Sequence, residues 1–480
     1  MKSVIKTAGF ISALLFIFTV NTSNVSGAEK IAPSARKEIS VTIYNKGSAL
    51  IREVREVSIK VEDKPFELIY EGVPSTIVPT SLQVTSTSAG FRILDQNYEY
   101  DLINTKNLLD KYVGEELVVG IPDPEGKDRI LMKTALLISN NDRPIFRIDD
   151  KIYIGSYSAL FLAEIPGNLR PRPALVWLVR NTLDQDQQIE VSYLAQGLTW
   201  KADYVLKISG DDRSASLAGW VTLKNHSGMA FNDAGLKLVA GDIHRVMARR
   251  RFPTRTALRL EKAVTQEEMI REESFFEYHL YTVPRKISIK NNQTKQIALI
   301  QTPPFFITKI LKVKNHNPFL YQGPWSGPST KEHPRVILEF ANSKKNRLGL
   351  PLPKGIVRAY KASSDGSLLL IGEDSIQHTP EGEKVSLHMG SAFDVTVERK
   401  QTDFAKLAKG LYESAWEIEI RNAKSAKANV VLEEFIPGIE WTLISNPQGF
   451  KKIASNWISL KVSVPAKGKK VIKYRVRVEY

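Results

Sequence analysis

The chain has no cysteine among its 480 residues. That excludes disulfides, thiolate metal sites, a cysteine nucleophile and a lipoprotein anchor. Beyond the first apolar run, no segment reaches the ~18 consecutive apolar residues that a membrane-spanning helix needs. Histidine numbers only 7, and the sequence has no phosphate-cradling glycine loop, G-x-S-x-G elbow, H-E-x-x-H helix or G-x-G-x-x-G turn. What is present is ordinary for a folded protein, with 42% apolar and 25% charged residues. A disordered chain and a polytopic helical membrane protein are excluded. Lys plus Arg is 67 and Asp plus Glu is 52, a formal charge of 67 − 52 = +15. At ~150 residues per domain, the length suggests about three domains.

The first residues read as a secretory signal. Lys2 and Lys6 give a positive start, Ala8 to Val20 form an apolar core, and Ser26-Gly27-Ala28 supplies the small residues of a cleavage site. Cleavage after Ala28 leaves 480 − 28 = 452 residues at +13, because Lys2 and Lys6 are the only charges removed. The expected location is the periplasm, with no transmembrane segment in the mature chain.

Period-two alternation dominates the chain beyond residue 28, the mark of half-buried strands. Ile39, Val41 and Ile43 share a face before an Asn45-Lys46-Gly47 turn. Residues 29–100 are an N-terminal β region. Residues 101–165 read as an inserted module, one short helix near Asn104–Tyr112 and five short strands, the count of a small SH3-like or Sm-like barrel. Exported, such a barrel meets no RNA, and a structural role is the commoner one. Strands resume over 166–243 as the first part of a central β-sandwich. There Leu217, Gly219, Val221 and Leu223 fall on one face, and Ala218, Trp220 and Thr222 on the other.

Residues 244–275 break the alternation. Arg245, Arg249, Arg250, Arg251, Arg255 and Arg259 precede the first acid, Glu261, and glutamates close the segment. This reads as an exposed charged arm. Guanidinium pairs bidentately with phosphate, so the six arginines are candidates for an anionic lipid or lipopolysaccharide surface, weighed against a merely solvated loop. Residues 276–400 continue the central sandwich. Residues 401–480 read as an immunoglobulin-like sandwich with strand signals every 8–12 residues. The fold class is therefore all-β and multidomain: β-sandwiches, an inserted small barrel module and a C-terminal immunoglobulin-like domain.

Several ordered stretches carry a resemblance. They are Tyr193-Leu194-Ala195-Gln196-Gly197-Leu198-Thr199-Trp200-Lys201-Ala202-Asp203-Tyr204, Gly219-Trp220-Val221-Thr222-Leu223-Lys224-Asn225, Leu236 to Asp242, Phe276 to Tyr281, Leu348-Gly349-Leu350-Pro351-Leu352-Pro353 and Ile371-Gly372-Glu373-Asp374. With His378-Thr379-Pro380 and Ala392 to Val395, they make the chain similar, from about residue 40 to its end, to the family called domain of unknown function 4139. The resemblance implies a mostly bacterial, exported, β-rich protein with no agreed activity and no catalytic set. Some relatives are labelled mucoidy-inhibitor-like. Many carry a coiled-coil insertion, for which this sequence has no heptads.

Candidate chemistry is thin. Glu373, Asp374 and His378, with His388 further off, form the best polar cluster, but turn chemistry explains them as well: Gly372-Glu373-Asp374 reads as a turn and His378 as the start of the next strand. Trp200, Asp203 and Tyr204 invite a sugar-stacking reading, yet Trp and Tyr on strands are more often core. No metal site and no cofactor is expected. The sequence favours a non-enzymatic binding or scaffold protein of the bacterial envelope, partnered by an envelope protein or glycan and not by nucleic acid. An envelope hydrolase acting on glycan or peptide, with Glu373, Asp374 and His378 as its only candidates, is the alternative.

Overall fold

A computed structural model describes residues 29–86, 90–99, 101–123, 129–166, 169–241, 270–315, 321, 323–325 and 329–480. Residues 1–28, read from sequence as a secretory signal, and all six arginines of the expected arm lie outside them. The chain divides into two compact units. The first takes in residues up to 35 with Glu56–Val73 and Ser86–Gln188; the second takes in Arg36–Arg55, Pro74–Thr85 and Ile189–Tyr480. Regular structure is overwhelmingly strand, so the all-β expectation holds.

In the first unit, strands Glu29–Ile31, Phe66–Glu71, Ala174–Asn181 and Phe91–Glu99 make a four-stranded sheet in that spatial order. Ala174–Asn181 begins with four consecutive buried residues, and Trp177 packs on Tyr70 with ring centroids 5.1 Å apart. Asn181, wholly buried, donates to the Ile59 and Leu183 carbonyls at 2.8 Å and accepts from Gln187 Nε2 at 2.9 Å. A buried amide must be satisfied in this way or destabilise the fold by about 1–3 kcal/mol.

The module expected at 101–165 has its one helix and five strands. Asn104 caps helix Thr105–Lys111, its side chain accepting from the Asn107 N–H at 2.9 Å. Leu109 and Tyr112 then pack on Leu117, Val119, Leu137 and Phe146 of the sheet. The sheet does not close into a barrel. Its two ends, Lys151–Tyr153 and Ala159–Phe161, pair only with inner strands. Each is three residues long, too short to curl round and meet the other.

Among the described residues, four sheets lie wholly or mainly in the second unit. One orders Arg271–Phe275, Tyr278–Thr282, Phe231–Ala240, Arg36–Tyr44, Ser48–Ser58, Asp186–Gln196 and Gln83–Ser86, with Ile287–Ile289 paired to Phe231–Ala240. Residues 271–275, assigned from sequence to the exposed arm, are thus its edge strand. Their alternation is masked by charge, since Arg271, Glu272 and Glu273 stand in a row. In its interior Glu53 and Arg55 are both fully buried; Glu53 accepts from Arg55 Nη2 at 2.9 Å, Arg36 Nε at 3.0 Å and the Tyr193 hydroxyl at 2.8 Å. The second sheet orders Gln293–Gln301, Ser214–Asn225, Leu198–Ile208, Gly355–Ala362 and Leu368–Ile376. Only Gly197 separates Asp186–Gln196 of one sheet from Leu198–Ile208 of the other.

The other two sheets form the C-terminal sandwich around Trp416, Tyr321, Tyr474, Ile418, Leu432 and Val476. It reaches further upstream than the boundary read at 401. Thr308–Asn315, Arg335–Ala341, Lys384–Ser391 and Val395–Ala408 all belong to it. The key join is the parallel pairing of Thr308–Asn315 with Ala428–Phe435. A pairing so distant in sequence leaves no local pattern from which to read a boundary.

A short hairpin turn at Ser363–Ser367 links Gly355–Ala362 to Leu368–Ile376. Asp365 Oδ1 accepts from the Ser367 N–H at 2.9 Å and the Ser367 hydroxyl at 2.6 Å, and also from the Ser363 hydroxyl. These donors hold its carboxyl down at about 2, Ser363 contributing most, against ~3.9 in an unstructured chain. A depressed folded value means that the turn gains stability above the unfolded value and loses it as pH falls through about 2. Carboxyl NMR titration of Asp365 should therefore give a midpoint near 2; a midpoint near ~3.9 would show that the turn bonds are not made.

Candidate functional site

Strand Leu198–Ile208 alternates cleanly. Leu198, Trp200, Ala202, Tyr204 and Leu206 are buried, and Trp200 and Tyr204 are core residues rather than a platform. Tyr204 donates to the Pro353 carbonyl at 2.7 Å and Tyr281 to the Pro351 carbonyl at 2.9 Å. Two hydroxyls thus clamp the Leu350-Pro351-Leu352-Pro353 run. Desolvation, with Tyr281 and Asp203 nearby, pushes the Tyr204 hydroxyl well above its ordinary value.

Thr199, Lys201, Asp203, Val205 and Lys207 leave the opposite, outward face, because neighbouring strand residues point to opposite sides. Register brings specific partners beside them. Asp203 lies across from Trp220 on the antiparallel neighbour, Thr222 lies across from Lys201, and Gln296 lies across from Thr222. On the parallel neighbour Arg358 sits beside Val205, and Glu373 lies across from Arg358.

These side chains bond into one row across five strands. Gln296 Nε2 donates to Thr222 Oγ1 at 3.2 Å, and Thr222 Oγ1 donates to Asp203 Oδ2 at 2.7 Å. Lys201 Nζ donates to Asp203 Oδ1 at 3.1 Å, with Arg358 Nη1 at 3.6 Å from the same oxygen. Arg358 Nε then pairs with Glu373 at 3.1 Å. Asp203 is only 7% exposed although it points away from the core. Its neighbours' stems cover it, as long polar side chains do. The row is electrically neutral, Lys201 and Arg358 against Asp203 and Glu373. Trp220, partly exposed, stands directly beside it.

The cluster expected from sequence separates. Glu373 and Asp374 are consecutive on Leu368–Ile376 and leave its opposite faces. Glu373 joins the row, whereas Asp374 Oδ2 accepts from the His388 N–H at 2.8 Å and Oδ1 from the Ser375 N–H at 2.8 Å. His378 Nδ1 accepts from the Lys354 N–H at 3.2 Å. Gly372-Glu373-Asp374 is not the turn that composition suggested. It lies mid-strand at a bulge, and a Cβ on Gly372 would meet the Met389 carbonyl oxygen at 2.7 Å. Among the described residues no three His, Asp or Glu side chains are placed to hold a metal ion.

A second feature is a cavity of about 70 Å³ lined by Glu272, Tyr281, Leu299, Leu350, Pro351 and Leu352. Glu272 there pairs with His279 Nδ1 at 2.7 Å. The cavity is too small for a sugar ring or a peptide.

A family model, Domain of unknown function (DUF4139), matches residues 189–480, more than half of the chain. The chain belongs to that family. The matched span includes every stretch that carried the resemblance and the whole polar row. No curated protein matches the chain. Within this DUF4139 chain the motif residues divide by strand parity. Tyr193, Trp200 and Tyr204 build the core, while Lys201, Asp203, Trp220 and Thr222 meet on one outward face. Alternation alone placed Trp220 and Thr222 on one shared face, opposite Val221 and Leu223. Arg358 carried no signal, since it reaches the site through a parallel pairing with a strand some 150 residues away.

Proposed function

We propose that the protein is an exported, non-enzymatic binding protein of the bacterial cell envelope, and that the outward face bearing Trp220 and the Asp203 row binds a neutral glycan. One observation carries the reading: a nearly buried carboxylate, locked by Thr222, Lys201 and Arg358, stands beside a partly exposed indole. Sugars need this combination, an aromatic face for their C–H groups and fixed donors and acceptors for their hydroxyls. The pairing of charges within the row favours an uncharged ligand over an anionic one. The row is pre-organised, so little side-chain freedom is lost on binding. Export is supported by the charged start, apolar core and small residues of positions 1–28.

The test expresses the full chain in a bacterial host, checks that the envelope fraction holds a product beginning at Glu29, and titrates that product with soluble, uncharged N-acetylglucosamine oligosaccharides. Trp220→Ala should weaken binding at least about tenfold with unchanged thermal unfolding, by analogy with nucleic-acid bases, whose stacking on an aromatic side chain is worth on the order of 1–3 kcal/mol. Binding that is indifferent to Trp220→Ala sinks the reading.

A further inference from the structure

The outward face of the second sheet carries another partly exposed aromatic residue. Tyr360 of Gly355–Ala362 leaves the strand on the same side as Arg358, because alternate residues share a face. Parallel register sets it beside Lys207. Its hydroxyl has no hydrogen-bond partner among the described residues. Trp220 stands on the far side of the same central strand, across from Asp203, and Asp203 precedes Lys207 by four residues. Strand spacings of ~4.8 Å and a rise of ~3.3 Å per residue then put Trp220 and Tyr360 roughly 16 Å apart on a diagonal of the sheet. The midpoint of that diagonal is Val205, which register sets between Ala218 and Arg358. Val205 and Ala218 are short, so the floor between the two rings is low. Asp203 and Arg358 border the line on one side, Ala218 and Lys207 on the other.

We infer that Tyr360 is a second sugar-stacking position, and that the ligand is a linear glycan of several rings laid along the Trp220–Tyr360 diagonal. This second position depends on the Trp220 face binding glycan, and it adds the length of the ligand and its direction on the sheet. The spacing selects a long chain: a disaccharide seated on Trp220 does not reach Tyr360. A repeating glycan offers ring faces and hydroxyls in turn along its length. The strip matches that order, with an indole at one end, the locked Asp203 and Arg358 side chains in the middle, and a phenol with a free hydroxyl at the other end. A peptide is not favoured here. Ser214–Asn225, Leu198–Ile208 and Gly355–Ala362, the three strands under the strip, are each paired on both sides, so none offers an edge for strand addition.

Titrating the full chain with uncharged N-acetylglucosamine oligosaccharides, from the disaccharide to the hexasaccharide, tests this. Affinity should rise at least about tenfold over the series and then level, the effect of one added stacking contact by analogy with nucleic-acid bases. Tyr360→Ala should reduce that rise to the small gain that extra registers of a repeating chain give. Its thermal unfolding should be unchanged, as the side chain is partly exposed. Tyr360→Phe, which keeps the ring, should retain most of the rise. Trp220→Ala should instead weaken every member of the series. Disaccharide binding that needs Trp220 but does not tighten with length, or a full rise in Tyr360→Ala, overturns the second position and leaves the glycan reading standing. A protein that binds no member of the series overturns both.

Discussion

Replacing Arg399 by Met should destabilise the C-terminal sandwich by about 3–5 kcal/mol, the cost of leaving a buried charge without its partner. Arg399 is 5% exposed and Glu434 fully buried. Arg399 Nη2 donates to Glu434 Oε1 at 2.7 Å, and Asn315 Nδ2 donates to Glu434 Oε2 at 2.9 Å. Nη1 donates to Glu332 at 2.9 Å. The two ends of the pair lie on strands of different sheets, Val395–Ala408 and Ala428–Phe435, so the ion pair spans the sandwich core. Desolvation already raises the Glu434 carboxyl, and Arg399 is the main force opposing that rise. Without the guanidinium, Glu434 would be driven to take up a proton. Hydrogen exchange of Leu411–Asn422 and Ala428–Phe435 reads the loss locally, which matters because a chain of several domains need not unfold in one step. The double variant Arg399→Met, Glu434→Leu should recover most of the stability, since paired apolar replacements are often neutral. If the single variant costs under about 1 kcal/mol, water reaches the pair and it is not a core interaction.

Gly197→Ala should be nearly as damaging, at about 2–6 kcal/mol from backbone strain and overpacking together. Gly197 has φ +80°, and a Cβ there would meet the His226 carbonyl oxygen at 2.6 Å and its carbon at 2.9 Å. Backbone cannot swing aside as a side chain can. Its own N–H donates to the Gly47 carbonyl at 3.1 Å and its carbonyl accepts from the His226 N–H at 2.8 Å, so the turn is held from both sides. Gly366→Ala separates the two causes. Its φ is +85°, but nothing lies within 4 Å of the added carbon. It should lose only about 1 kcal/mol, the strain alone. Denaturant midpoints of the two variants compare them directly; equal losses would mean that the contact with His226 relaxes freely.

These two sites also show what the sequence could and could not disclose. Gly197 sits inside a stretch that marked the family, and its neighbours' alternation revealed which residues of Leu198–Ile208 face inward. Such local rules found the strands, the short helix after Asn104 and the shared face of Trp220 and Thr222. They failed wherever pairing is distant or charge hides the pattern. Arg399, Glu434 and Asn315 are ordinary polar residues in sequence; the parallel join of Thr308–Asn315 to Ala428–Phe435 sets Asn315 beside Glu434, and the packing of the second sheet brings Arg399 to them. Arg271–Phe275 looked like a continuation of a charged arm because its edge position lets both faces be polar. Glu373 and His378 suggested a shared site because a hairpin could bring them together; the strand's parity sends Glu373 to Arg358 and Asp374 the other way.

If the outward face of the second sheet is where this DUF4139 protein binds, ligand must shield the side chains that stand on it. Hydroxyl-radical footprinting of the full chain, with and without soluble, uncharged N-acetylglucosamine oligosaccharides, reads that protection residue by residue. Trp220 and Tyr360, which pairs with Lys207 and stands on the same face as Arg358, should lose reactivity on adding the oligosaccharides, while Trp325, bonded to Gln401 of the C-terminal sandwich, and Phe393, just before strand Val395–Ala408, keep theirs. Unchanged reactivity at Trp220, or protection confined to other aromatic residues, would contradict binding at this face.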